Sequence, residues 1–266
     1  MYTRFELLIN YLNYFIRASN GKGHGIHSPF VFDFVVNLLR KNDEHHQGFQ
    51  QIEQYRKYLL SCEDTLAIED LGAGSAYSNK LHRKVSSIAS SALKTSKYAR
   101  LLYRMMRYYE IDSVVELGTS LGVTTRYLSL AQPANGVTTI EGSPALADFV
   151  ARSFSESGIK NVNLICGDFK EHLDKVLDDI KGRKLIFFDG NHQYRPTIDY
   201  FTKAMCVAEN DDVFVFDDIH WSPGMEKAWN EICQHGRVTC SIDLFFMGVV
   251  FFKKEFHQKQ HFTIRF

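Results

Sequence analysis

The chain has 266 residues, 45% of them hydrophobic and 23% charged, the composition of a soluble globule long enough to bury a sizeable core. Lys plus Arg and Asp plus Glu each number 31, so the formal net charge is zero, which argues against a general nucleic-acid binder. No apolar run reaches the roughly 20 residues that span a bilayer, and Cys62, Cys166, Cys206, Cys233 and Cys240 form no C-x-x-C pair, which predicts reduced thiols in a cytoplasmic protein without structural zinc.

Residues 1–110 read mainly as helix. The first stretch, "FELLINYLNYFIRA", repeats Phe5, Leu8, Ile9, Leu12, Phe15 and Ile16 at helical spacing and so carries a wide apolar face. Arg4, Glu6 and Arg17 interrupt it, and it lacks the continuous apolar core of a signal peptide. After the glycine-rich "NGKGHGIH", Ser28 at an N-cap and Pro29 at N1 announce a helix over "FVFDFVVNLLRK". "HQGFQQIEQYRKYLLSCE" and "SSIASSALKTSKYARLLYRMMRYYE" are the third and fourth helical stretches.

From residue 111 the texture changes. "DSVVELG", "GVTTIEG", "NVNLICGD", "RKLIFFDG" and "DVFVFDD" are short apolar runs ending in polar or glycine residues, with helix-length segments between them. Buried strands alternating with helices predict a mostly parallel α/β sheet. "VTCSIDLFFMGVVFFKKE" closes the pattern as two strand-like runs around Met247-Gly248, a C-terminal antiparallel hairpin.

Two stretches look like strand-to-loop junctions of a nucleotide-binding unit: "IEDLGAGSAYS" at 68–78 and "VVELGTSLGVTT" at 114–125. Such a loop needs a strand before it, a helix after it, and an acidic residue at the end of the next strand to bind a ribose. The second stretch meets all three conditions, its acid being Glu141. The first is followed by a polar helical segment and reads as a loop joining N-terminal helices. The working loop runs Glu116-x-Gly118-x-x-x-Gly122 with Ser120 where a middle glycine would sit, so it lacks the pyrophosphate fingerprint of dinucleotide sites.

These ordered motifs, over roughly residues 94–252, resemble the class I S-adenosylmethionine (SAM)-dependent methyltransferases, and among them small-molecule O-methyltransferases of the catechol and caffeoyl-CoA kind, whose first motif reads E-L-G-x-x-x-G. The resemblance implies a Rossmann-like, mostly parallel seven-stranded sheet with a C-terminal antiparallel hairpin, preceded by an N-terminal helical region. It divides the chain into residues 1–93, helices that pack or cover the substrate, and residues 94–266, the methyltransferase domain. It implies that Glu116 and the loop Gly118, Thr119, Ser120 and Gly122 cradle the methionine part of SAM. Thr124 would meet its carboxylate, Glu141 beside Gly142 would take the ribose hydroxyls, and Asp168 and Phe169 would flank the adenine. Lys94, Ser96 or Lys97, ahead of the first strand, would cover the cofactor. Where the family commonly has a Pro-Gly-Gly turn before its fifth strand, this chain has Asn210-Asp211, which also turns.

Asp189 ends one strand run and Asp217-Asp218 ends the next. Neighbouring strand tips would gather these carboxylates, which then need protonation, hydrogen bonds or a cation. Hard oxygen ligands suit Mg²⁺, or Ca²⁺ or Mn²⁺ in its place. The family's metal-dependent members use this arrangement, and Asp189 would then serve the metal, the cofactor and catalysis together. The alternative is that Asp189 and Asp217 only cap turns. His192 stands where catechol enzymes carry a catalytic lysine and is a candidate base. His220 is a second base, a metal ligand, or a loop anchor packed with Trp221. His24 and His27 in "GKGHGIHSP" belong to a lid or merely tie down their loop.

The function expected is methyl transfer from SAM to a hydroxyl of a small-molecule acceptor, with divalent-cation assistance and no nucleic-acid or membrane partner. Related enzymes are often homodimers. A small-amine acceptor and a non-catalytic SAM-binding scaffold are the alternatives. The Asn/Asp-Pro-Pro-aromatic motif of nucleobase amino-methyltransferases is replaced by "DGNHQY".

Overall fold

The computed structural model describes residues 1–19, 21, 26–41, 46–68 and 82–266. In chain order the helices are α1 Arg4–Arg17, α2 Pro29–Phe34, α3 Gln47–Ser61, α4 Val85–Ala92, α5 Ser96–Tyr108, α6 Val123–Leu130, α7 Pro144–Glu156, α8 Phe169–Asp179, α9 Tyr194–Met205 and α10 Pro223–Gln234. The strands are β1 Thr65–Ala67, β2 His82–Lys84, β3 Ser113–Leu117, β4 Val137–Glu141, β5 Val162–Cys166, β6 Lys184–Phe188, β7 Val213–Asp217, β8 Cys240–Asp243, β9 Met247–Phe251 and β10 Gln260–Thr263. They group into two compact units, Met1–Asn42 with Arg183–Phe266, and Asp43–Gly182. None of the described helices is long and apolar enough to cross a membrane.

In the unit Asp43–Gly182, β3, β4 and β5 lie side by side in parallel, with Val115 opposite Thr138 and Thr139 opposite Leu164. Every residue of β3 is buried, the mark of a strand covered on both faces. Helix α6 is buried from Val123 to Ser129, and it shares a core with Phe49, Ile52 and Leu59 of α3 and Val85 and Ile88 of α4. The fourth helical stretch of the sequence is two helices: α4 ends at Leu93 in an extended conformation, and Thr95, also extended, starts α5. Ser and Thr compete for backbone hydrogen bonds and favour such breaks over helix interiors. The glycine loop at 68–78 lies, beyond Ile68, outside the described residues. Its flanks, β1 and β2, pair as a short antiparallel ladder with Thr65 opposite Lys84, which the helical reading of that region did not include.

In the other unit β6 and β7 are parallel, β9 runs antiparallel to β7, and β8 pairs antiparallel with β9. The expected hairpin is therefore β8–β9. Beyond it β10 pairs in parallel with β8, a strand that the seven-strand reading did not include. Its alternating partial burial marks an edge, so no apolar run announces it. Helix α10 is a further element beyond the sequence reading, and its start carries the same signal that marks α2: Ser222 accepts the Met225 N–H at 3.2 Å and Pro223 occupies the first helical turn. At α2 that signal sits at the right place, but the Ser28 side chain makes no capping bond, and the helix passes into a π-helical turn at Val35–Leu39. Gly248 is required by packing: a Cβ there would lie 2.5 Å from the Trp229 ring, so only glycine lets the α10 indole rest on β9.

Helix α1 begins with a capping box in which Thr3 and Glu6 each bond the other's backbone N–H. It docks through Leu7, Tyr11, Tyr14 and Ala18 against Phe245. The Tyr14 hydroxyl donates to the Ile264 carbonyl, and Arg265 Nε donates to the Phe15 carbonyl at 2.7 Å. The wide apolar face read from the sequence is thus a different face from the docked one. Phe5, Leu8, Ile9, Leu12, Phe15 and Ile16 are all exposed.

Candidate active site

In the unit Asp43–Gly182 the chain leaves β3 through a loop shaped by left-handed backbone. Gly118 has φ 102°, Ser120 φ 49° and Gly122 φ 72°, with Gly122 at the N-cap position of α6. Below this loop Glu116 is fully buried. Its Oε2 accepts the Thr139 hydroxyl at 2.7 Å and the Thr125 hydroxyl at 2.5 Å. Thr139 lies 2.7 Å from the Thr119 hydroxyl. With its own proton given to Glu116, Thr139 accepts there and Thr119 donates. The chain Thr119–Thr139–Glu116–Thr125 thus ties the loop to β3, β4 and the first turn of α6. Burial lifts the Glu116 carboxyl to about 7, more than the two hydroxyl bonds lower it, and Glu141 adds to the rise. Its other oxygen, Oε1, is buried and has no partner among the described residues.

Glu141 ends β4 and is 8% exposed. Its Oε2 accepts the Ser120 N–H at 2.8 Å and its Oε1 the Ser143 N–H at 2.9 Å. Burial raises its pKa, against the lowering effect of the N–H groups of Ser143, Ser120, Thr119 and Gly142. The structure therefore brings Thr119, Ser120, Glu141 and Gly142 together, as the sequence predicts. Thr124 is buried in the first turn of α6. The Gly167 N–H bonds the Glu141 carbonyl at 2.9 Å and brings the tip of β5 to the same place. The next residue, Asp168, caps α8 by accepting the Lys170 N–H at 2.8 Å, and Phe169 is half-buried. Lys97 stands exposed in the first turn of α5. The sequence reading missed Thr125, Thr139 and Ser143. Two hydroxyls inside otherwise buried elements were the available signal.

In the other unit the register of β6 and β7 sets Phe188 opposite Phe216, so the next residues, Asp189 and Asp217, emerge side by side. His192 turns back toward them, its Nε2 3.9 Å from Asp189 Oδ1. One ligand atom from each of Asp189, His192 and Asp217 lies within 4.8 Å of the other two, and Asp217 is only 2% exposed. Asp218 stands outside this trio. It has φ 52°, its N–H bonds the Phe246 carbonyl at 2.8 Å, and its own carbonyl accepts the Trp221 N–H at 2.9 Å.

His220 is held at both ring nitrogens, by Glu226 at 3.1 Å and Asp243 at 2.8 Å, and its ring stacks on Phe245. Burial alone would lower its pKa, but the two carboxylates together raise it. A cavity of about 10 Å³, room for one water, lies between Leu7, Asp218, His220, Trp221, Phe245 and Phe246. His27 is exposed, and His24 lies outside the described residues. Before β7, Asp212 accepts the N–H groups of Lys184 and Glu209 at 2.8 and 2.7 Å and pairs with the Lys184 ammonium at 3.2 Å. Asn210 accepts the Lys254 N–H at 2.8 Å, so the "ENDD" segment shapes its turn with side chains.

Residues 115–219 match the family model described as a methyltransferase domain. A curated tRNA (guanine-N(7)-)-methyltransferase of Mycoplasma mobile is 28% identical over 68 residues, which are 26% of this chain and 33% of that protein. The chain thus spans about a third of the length of that relative. Among solved structures, an O-methyltransferase from Bacillus cereus in complex with SAH superposes with a TM-score of 0.55 at 15% identity, covering 84% of this chain and 97% of the other. The O-methyltransferase TomG from Streptomyces achromogenes, involved in tomaymycin synthesis and solved with SAM, gives a TM-score of 0.51 at 19% identity, covering 61% and 82%.

The fold is that of the class I SAM-dependent methyltransferases. Residues 115–219 match the methyltransferase-domain model, and the fold is similar to that of the O-methyltransferases named above.

Proposed function

We propose that the chain transfers a methyl group from SAM to a hydroxyl oxygen of a small molecule, with a divalent cation held by Asp189, His192 and Asp217. The observation that carries the reading is the convergence of those three side chains within 4.8 Å at the paired tips of β6 and β7.

The residues around the Gly118–Gly122 loop fit SAM. Glu141 is a carboxylate held in place by two backbone N–H groups. Both of its oxygens are acceptors, and a ribose diol offers two hydroxyl donors. The left-handed loop Gly118–Gly122 lets a ligand approach the backbone closely. The trio likewise fits a cation: two carboxylates so close, one of them buried, repel unless neutralised. With an imidazole beside two carboxylates the donor set suits Mn²⁺ or another transition ion better than Mg²⁺, which favours oxygen ligands throughout.

A bound divalent ion lowers the pKa of a coordinated hydroxyl and so supplies a better nucleophile at neutral pH. Asp217 and Asp189 would fix the ion's position, and His192 would complete its ligands or accept the acceptor's proton. The acceptor oxygen gains the methyl carbon as the carbon–sulfur bond breaks, and SAH leaves. The N-terminal region, residues 1–93, would shape the acceptor's space ahead of a methyltransferase domain at 94–266; in support, the Tyr2 N–H bonds the Trp221 carbonyl in the loop after β7 at 3.2 Å. All five cysteines are free thiols, which suits a reducing, cytoplasmic setting.

The test joins calorimetric SAM titration to a measurement of SAH release over a panel of small hydroxyl and amine acceptors, with chelator and with added Mn²⁺ or Mg²⁺. The reading expects SAM binding, hydroxyl-dependent turnover, loss with chelator and recovery with metal. Chelator-insensitive turnover on amines would replace the oxygen acceptor. SAM binding without turnover on any acceptor would leave a SAM-binding scaffold.

A further inference from the structure

We propose that His220 and Asp243 are positioning residues of the cation site: their ion pair joins the two turns that flank Asp217 and so holds its carboxylate against Asp189 and His192. The inference rests on the metal reading above and concerns what keeps that site in shape.

Asp217 occupies the last rung of the β7–β9 ladder, opposite Met247. On its other side the β6–β7 register stops one residue earlier, at Phe188 and Phe216. The end of a ladder is where strands fray first. Both strands meet this rung through left-handed backbone: Asp218, directly after Asp217, has φ 52°, and Phe245, two residues before Met247, has φ 69°. Aspartate tolerates that region, but phenylalanine is an outlier there. Such a residue persists only where its surroundings over-determine it, and such residues gather at functional sites.

Asp243, the last residue of β8, spans the two turns. Its Oδ1 accepts the Phe245 N–H at 2.8 Å, and its Oδ2 meets His220 Nε2 at 2.8 Å. The His220 ring also stacks on Phe245, with centroids 5.0 Å apart and 20° between the planes. A backbone bond runs alongside, from the Asp218 N–H to the Phe246 carbonyl at 2.8 Å. The outer nitrogen, Nδ1, faces Glu226 Oε1 at 3.1 Å, and the other oxygen of Glu226 accepts the Tyr2 hydroxyl at 2.8 Å.

With a carboxylate at each nitrogen, the ring donates at both ends and keeps no lone pair for a substrate proton, so His220 is not the base. Asp243 is 6% exposed. A buried charged pair is a costly way to anchor a loop that apolar side chains could hold by packing. What it adds over packing is direction, because charge-assisted bonds fix distance and angle together. A cation needs its ligands fixed in that sense, and a supporting shell left loose lets them drift out of range.

Titration of Mn²⁺ into the full chain, with the free ion read by paramagnetic resonance, tests the proposal. His220→Phe keeps a stacked ring and loses both bonds. His220→Asn sets its amide near the place of Nδ1 and His220→Gln near that of Nε2, so only the second can still reach Asp243. The Mn²⁺ dissociation constant should rise about tenfold or more in His220→Phe and His220→Asn, and stay within about threefold of wild type in His220→Gln. Circular dichroism and SAM affinity should be unchanged in all three. A lower melting temperature with an unchanged Mn²⁺ constant in His220→Phe and His220→Asn would make the pair a structural brace only and overturn the proposal. So would a His220→Gln variant that binds Mn²⁺ no better than His220→Phe. A wild type that takes up no Mn²⁺ would instead overturn the metal reading itself, and this inference with it.

Discussion

Glu141 Oε2 accepts the backbone N–H of Ser120 at 2.8 Å, so the carboxylate that would read a ribose also pins the loop that would cradle the methionine end. One side chain at the end of β4 would thus set both halves of the proposed cofactor site. Glu141→Gln keeps the size but turns a donor toward one of the two N–H groups. With a charge-assisted bond worth about 1.5–3 kcal/mol, the SAM dissociation constant should rise roughly 10- to 100-fold. Calorimetry measures it. Unchanged affinity would remove Glu141 from the cofactor site.

Glu116 makes stability depend on pH in an unusual direction. Its folded pKa is about 7 against an ordinary 4.5, because burial penalises the charge. Between those values the unfolded chain releases a proton that the folded chain keeps. This group's contribution is therefore best at low pH and declines as pH rises toward 7, by roughly 3 kcal/mol in all. Glu116→Gln removes that slope. Urea unfolding without SAM at pH 5 and pH 8 should show the variant gaining on the wild type by about that amount at the higher pH.

Gly122 combines a left-handed φ of 72° with crowding: an added Cβ would sit 2.8 Å from Val150 and 3.0 Å from Phe154. Gly158 has a similar φ of 67° with nothing within 4 Å. Gly158→Ala should cost about 1 kcal/mol, the strain alone, and Gly122→Ala about 2–4 kcal/mol with weaker SAM binding. Melting temperatures of the two variants separate conformational strain from packing.

Asp217→Asn removes one negative charge from the trio and should weaken Mn²⁺ binding at least tenfold, read by paramagnetic resonance of the free ion. SAM affinity should not change. His192→Gln should lower kcat by about a hundredfold or more if the imidazole accepts the proton. A variant that binds Mn²⁺ poorly yet turns over normally once saturated would make His192 a ligand only.

Much of the cofactor side was legible because strand, glycine turn and distal acid are a local pattern. The spacing from Gly118 to Glu141 is enough to join them. The trio was partly legible: Asp189 and Asp217 each end an apolar run, and parallel neighbours end at the same edge. Exclusion of Asp218 was not, because it depends on a φ of 52° and a bond to Phe246 in the loop between β8 and β9. The fixing of His220 between Glu226 and Asp243 depends on partners 6 and 23 residues away in sequence. Helix α1 shows the sharper limit. Periodicity identifies apolar faces without saying which one the rest of the chain will cover.

The Tyr14 hydroxyl bonds a carbonyl 250 residues further on, and β10 must already lie beside β8 for that carbonyl to be in place. During synthesis α1 is therefore made some 250 residues ahead of the carbonyl that its Tyr14 bonds, with both of its greasy sides bare in the interval. A nascent chain in that state is a natural client for a holding chaperone, and deleting residues 263–266 should leave α1 held by its packing on Phe245.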